Sequence, residues 1–112
     1  MRNQLLLQSD PAALEAMIKT NVHPYVYMTK YALKHFDEQA SAHRNLNALV
    51  YVSSTAAWVS LTYFSMYAGT KMHNWKLASL VRSYVNQSED LKGLVKVQSL
   101  HPGYVTTNLT GQ

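Results

Sequence analysis

Apolar and polar positions alternate with different periods in different parts of the chain. Between Ser9 and Phe36, Leu14, Met17 and Ile18 recur at helical spacing, Asp10 stands where a side chain can cap, and Pro11 takes the first helical position. The predicted helix continues to about Phe36 but contains Pro24, which has no amide for the carbonyl of Thr20 and crowds it with its ring, so a kink beside Asn21 is expected. Residues 37–47, DEQASAHRNLN, are polar and read as a connecting loop. ALVYVSS follows as a short β-favouring run, the pattern of a strand buried on both faces of a parallel sheet. From about Ser65 to Asn86, Leu77, Leu80, Val81 and Tyr84 fall at i, i+3, i+4 and i+7, which predicts a second helix with these four inward and Tyr67, Thr70, Lys71 and Asn74 on another face. QSEDLKG closes that helix, and LVKVQSLHPG predicts a strand that stops at a Pro-Gly turn.

The order helix, strand, helix, strand places the chain in the α/β class. Two parallel strands joined by a crossover helix form a βαβ unit, whose ligand sites are expected beyond the carboxyl ends of the strands. Ser53 and Ser54, then Pro102 and Gly103, stand at those ends.

Composition narrows the function classes. The 112 residues suffice for one domain, and 47% apolar with 14% charged residues fits a globular unit. No run of about 18 apolar residues predicts a membrane span, and MRNQLLLQSDPAALE turns polar too soon for a secretory signal. The absence of cysteine excludes disulfides, thiolate metal sites and thiol nucleophiles. The net charge of +4 comes from Lys and Arg scattered between Arg2 and Lys96 without a basic block, so no nucleic-acid-binding face is expected. Five histidines, His23, His35, His43, His73 and His101, show no ligand spacing, and no metal is expected.

The segment SMYAGTK carries the candidate chemistry. Tyr67 and Lys71 are i and i+4 on a helix, so phenol and ammonium are neighbours, and a nearby cation favours a phenolate. Ser54 ends the preceding strand 13 residues earlier, where its hydroxyl can bond an oxygen held by Tyr67. Trp58, Leu61, Tyr63 and Phe64 lie between the two and suit either an apolar substrate wall or core packing.

The ordered set of an Asn in a kinked helix (TNVHPYVYMTKYAL), a strand ending in Ser (VYVSSTAA), thirteen residues, YAGTK, a strand and HPGYVTT resembles the catalytic half of the short-chain dehydrogenase/reductase family, over about residues 10–109. The resemblance implies a partial Rossmann-like parallel sheet and hydride transfer between a nicotinamide and a ketone or secondary alcohol. It implies Tyr67 as general acid/base, Lys71 as holder of the ribose hydroxyls, Ser54 on the substrate oxygen, Asn21 holding a relay water, and Pro102, Gly103, Val105 and Thr107 against the nicotinamide. NADP or NAD is the implied cofactor, NADPH slightly favoured. VQSLHPGYVTTNL is similar to hydroxysteroid dehydrogenases, 3-oxoacyl-CoA reductases and retinol dehydrogenases, which implies an apolar, lipid-like substrate and an intracellular setting, cytoplasmic or beside the endoplasmic reticulum. Relatives often pair through two long helices like those here, so a homo-oligomer is expected.

The family's opening strand and glycine-rich turn are not in this sequence, whose four glycines are Gly69, Gly93, Gly103 and Gly111 with no G-x-x-x-G-x-G. Residues 1–112 are therefore expected to form a single partial domain, the catalytic half, whose chemistry requires the N-terminal dinucleotide-binding half. The alternative expectation is a non-catalytic remnant that serves as an assembly or interaction module.

Overall fold

A computed structural model describes residues 6–40, 45–58 and 65–103. Helix α1 spans Pro11–Asn21 and α2 spans His23–Gln39. Between them Val22, at φ −113° and ψ −56°, breaks the axis where the kink is expected. Pro24 is the second residue of α2, a position where a missing amide forfeits no helical bond. Asp10 occupies the N-cap of α1, but its side chain makes no capping bond; its carbonyl accepts the Leu14 amide at 3.1 Å instead. The region read as a loop begins later than expected, because α2 continues to Gln39.

Strand β1, Asn47–Val52, pairs in parallel with β2, Val95–Leu100, in the register Asn47 to Val95 through Val52 to Leu100. Helix α3, Ser65–Gln87, crosses between them. Gly93 takes φ 78° in the turn that leads into β2, a conformation only glycine adopts without strain. The element order bears out the α/β reading. Among the described residues no helix is long and apolar enough to cross a membrane.

The expectation of a strand covered on both faces is corrected. Tyr51, Val95 and Val97 are buried on the face that meets the helices, while Val50, Val52 and Leu100, 40–53% exposed, point to the other face. Burial therefore alternates with a period of two, as in a sheet covered on one side. In a parallel pair, alternate residues turn their peptide groups toward the partner, so the groups of residues 48, 50 and 52 face the open edge of β1. One of them is capped: the Tyr25 hydroxyl donates to the Val52 carbonyl at 3.1 Å. On β2 the Arg82 guanidinium donates twice to the Val97 carbonyl, at 2.8 and 3.0 Å.

The inward face of α3 is also corrected. Leu80 and Tyr84 are 57% and 59% exposed, whereas Thr70, Asn74, Ala78, Val81 and Val85 are buried. At 100° per residue those five span an arc of about 80°, turned by roughly 70° from the predicted stripe. Small residues on this arc let the helix lie close to the sheet, and the core of Tyr51, Ala78, Val81, Val85, Leu91, Val95 and Val97 forms in the contact.

Helix α2 is joined to β1 by a hydroxyl chain. Thr29 donates to the carbonyl of Tyr25, so the Tyr51 hydroxyl must be the donor to Thr29. Burial raises the Tyr51 pKa. Leu91→Ala is expected to lower stability by about 2–5 kcal/mol and Leu80→Ala by less than about 0.5 kcal/mol. Urea unfolding measures both; equal losses would restore the predicted stripe.

Candidate active site

The carboxyl ends of both strands and the first turns of α3 come together through hydrogen bonds. Beyond β1 the Ser53 amide extends the ladder to the Leu100 carbonyl at 2.7 Å. The buried Ser53 hydroxyl donates to the carbonyl of Lys71 at 2.6 Å. Ser54 Oγ accepts the Ala56 amide at 3.1 Å, which starts a short 3-10 turn, Thr55–Trp58, and leaves the Ser54 O–H as a donor. The Thr55 amide reaches the Pro102 carbonyl at 3.3 Å, joining the end of β1 to the segment after β2. A side chain at Gly103 would come no closer than 3.9 Å to Thr55 Oγ1, so no crowding among the described residues requires glycine there.

On α3 the Lys71 ammonium lies over the Tyr67 ring, 5.5 Å from its centroid, as the i, i+4 spacing requires. Lys71 belongs to neither ion pair among the described residues, Glu15–Lys19 and Lys34–Glu38. Burial lowers its pKa. The aromatic face beside the ammonium acts in the opposite sense and favours the charged form.

Asn21, the last residue of α1, donates from Nδ2 to Thr70 Oγ1 at 3.2 Å, and Thr70 donates to the carbonyl of Tyr67 at 2.7 Å. The helix break thus bonds directly to the Tyr67–Lys71 turn. Asn21, Ser54, Tyr67, Lys71, Pro102 and Gly103 accordingly stand around one end of the sheet; Val105 and Thr107 lie outside the described residues. Ser53 and Thr70 were placed from the sequence at a strand end and on a helix face but were given no role. Their signal is slight: a second serine at a strand end, and a threonine inside the Y-x-x-x-K turn.

Trp58, half-exposed, has its ring 4.2 Å from that of His101 and 6.1 Å from that of Trp75. Trp58 thus packs among rings at this end of the sheet; Leu61, Tyr63 and Phe64 lie outside the described residues. Two buried donor or acceptor atoms, Asn74 Nδ2 and His101 Nδ1, have no partner among the described residues. Each such group costs about 1–3 kcal/mol.

The model of the short chain dehydrogenase family matches the chain over residues 1–112. Among solved structures, ElxO with NADP bound is 25% identical with a TM-score of 0.75, covering 99% of this chain and 41% of that one. A tyrosine-to-phenylalanine variant of ElxO with NADPH bound is 24% identical, TM-score 0.76, with the same coverage of 99% and 41%. The bulky-bulky ketone specific alcohol dehydrogenase from Comamonas testosteroni is 14% identical, TM-score 0.75, covering 96% of this chain and 42% of that one. The chain thus spans about two fifths of the length of these structures. No curated protein matches it.

A lysine with a lowered folded pKa opposes folding while it is charged, and the folded state gains stability as pH rises from that value toward the ordinary one near 10.4. Lys71→Met is therefore expected to raise the urea midpoint at pH 7 and to flatten the rise in stability on the approach to pH ~10. A lower midpoint at pH 7 would show that the ring contact outweighs burial.

Proposed function

The chain belongs to the short-chain dehydrogenase family, and from that membership we propose that it supplies the acid/base half of an NADP(H)-dependent oxidoreductase interconverting a ketone and a secondary alcohol. The observation that carries this reading is the Lys71 ammonium lying over the Tyr67 ring, with the residue beside Ser54 bonded to the same helical turn.

The donor set fits a nicotinamide dinucleotide. Lys71 has no carboxylate partner among the described residues, so its N–H groups suit uncharged ribose hydroxyls. Pro102 and Gly103, which follow β2, would lie against the nicotinamide, and the same role is proposed for Val105 and Thr107. When bound, NADPH supplies the hydride that the carbonyl carbon accepts.

In reduction, Ser54 donates a hydrogen bond to the carbonyl oxygen and Tyr67 gives that oxygen its phenolic proton as the alkoxide charge develops. Lys71 stabilises the negative charge left on Tyr67. The proton returns to Tyr67 from solvent through a water held beside Asn21, at the break between α1 and α2. In oxidation each transfer reverses. The half-exposed Trp58, four residues past Ser54, suits a bulky apolar substrate such as a steroid or a 3-oxoacyl chain. The dinucleotide's phosphates would be held by a glycine-rich half outside these 112 residues. Exposed Tyr27, Met28 and Tyr31 on α2 and Leu80 and Tyr84 on α3 favour pairing of the long helices in a homo-oligomer.

The test is NADPH titration followed by nicotinamide fluorescence, with the chain alone and mixed with a separately made glycine-rich half, then turnover of steroid and 3-oxoacyl ketones. Tyr67→Phe is expected to retain binding and to lose about 10²–10⁴-fold in kcat. Absence of binding in both preparations overturns the reading and favours the non-catalytic assembly module.

A further inference from the structure

The polar side chains buried most completely among the described residues are Ser53, Thr70 and Asn74, at 2%, 4% and 0% exposure. Two of them hold the two ends of a single helical turn. In α3 the carbonyl of Tyr67 accepts the amide of Lys71, and the carbonyl of Lys71 accepts the amide of Trp75. Thr70 adds a second donor to the first of these carbonyls and Ser53 adds one to the second.

A helical threonine bonding back to the carbonyl three residues earlier is commonplace. The contact from Asn21, 49 positions away, is not. Because Oγ1 accepts the Asn21 amide, the one hydroxyl proton of Thr70 is committed to Tyr67. The bond from Ser53 crosses 18 positions and joins the end of β1 to α3. Ser54 is the next residue, so one peptide unit sets its distance from the Lys71 backbone.

We propose that Thr70 and Ser53 are positioning residues, which fix the Tyr67–Lys71 turn against the helix break at Asn21 and against the strand end that presents Ser54. The inference rests on the functional reading above only for its kinetic consequence, since the geometry can be measured without nucleotide. A displacement of about 1 Å in such a turn costs on the order of 10²-fold in rate. Valine at position 70 keeps the shape and loses both bonds; serine keeps both. Alanine at 53 removes the strand-to-helix bond alone.

The test compares Thr70→Val, Thr70→Ser and Ser53→Ala with the unaltered chain, each shown folded by its urea midpoint. In the nucleotide-free chain, NMR reads the upfield ring-current displacement of the Lys71 ε-methylene protons by the Tyr67 ring, identified by its loss in Tyr67→Leu. Thr70→Val and Ser53→Ala are expected to shrink that displacement, and Thr70→Ser to restore it. In the active preparation with its glycine-rich half, the first two are expected to lower kcat by roughly 10- to 100-fold while the ketone KM stays within about 3-fold. A Thr70→Val protein with the unaltered displacement and kcat overturns the inference, as does a Thr70→Ser protein that restores neither. Should the unaltered chain bind no NADPH, the functional reading falls, and the methylene displacement alone decides this inference.

Discussion

Helix α3 meets the sheet through a stripe of small and polar residues, and the placement of everything at the candidate site follows from that contact. Thr70, Asn74, Ala78, Val81 and Val85 allow close approach along most of the helix. At its first turns the contact is made by hydrogen bonds, from Ser53 to the Lys71 carbonyl and from Asn21 through Thr70 to the Tyr67 carbonyl. Apolar packing is non-directional, whereas a hydrogen bond weakens steeply once its angle falls below about 120°. A turn that must present a phenol and an ammonium together is better held by the second kind of contact.

Much of this was legible in the sequence, because the signals were local. Pro24 marked the helix break beside Asn21, the i, i+4 spacing brought Lys71 to Tyr67, and the apolar runs located β1 and β2. The inward face of α3 was not legible. A count of apolar residues favoured Leu80 and Tyr84, yet the sheet-facing arc is filled by Thr70 and Asn74, which such a count treats as surface. Their burial depends on a partner 49 positions from Thr70 and on the sheet itself, and no window along the chain contains those. The two-sided burial expected of β1 failed for a related reason. Val50 and Val52 are β-favouring whichever face is covered, so the composition of a strand does not report which of its faces has a neighbour.

The same region shows stability set against chemistry. Half-burial of Lys71 opposes its charge, and Asn74 keeps an amide donor without a partner among the described residues. Both costs fall within one turn of the candidate acid/base pair. The hydrophobic core of Val81, Val85, Leu91, Val95 and Val97, farther along the helix and sheet, is where the offsetting stabilisation lies. Family membership is consistent with this division, since in the proposed reaction the polar end faces nucleotide and substrate while the apolar end serves the fold.

The central claim is that Lys71 and Tyr67 stand together against the sugar of a bound nicotinamide. Intermolecular nuclear Overhauser effects in a complex with NADPH measure this most directly. The account predicts cross-peaks from the nicotinamide ribose protons to the Lys71 ε-methylene and the Tyr67 ring. A complex that binds NADPH with those ribose protons close to neither residue would contradict it.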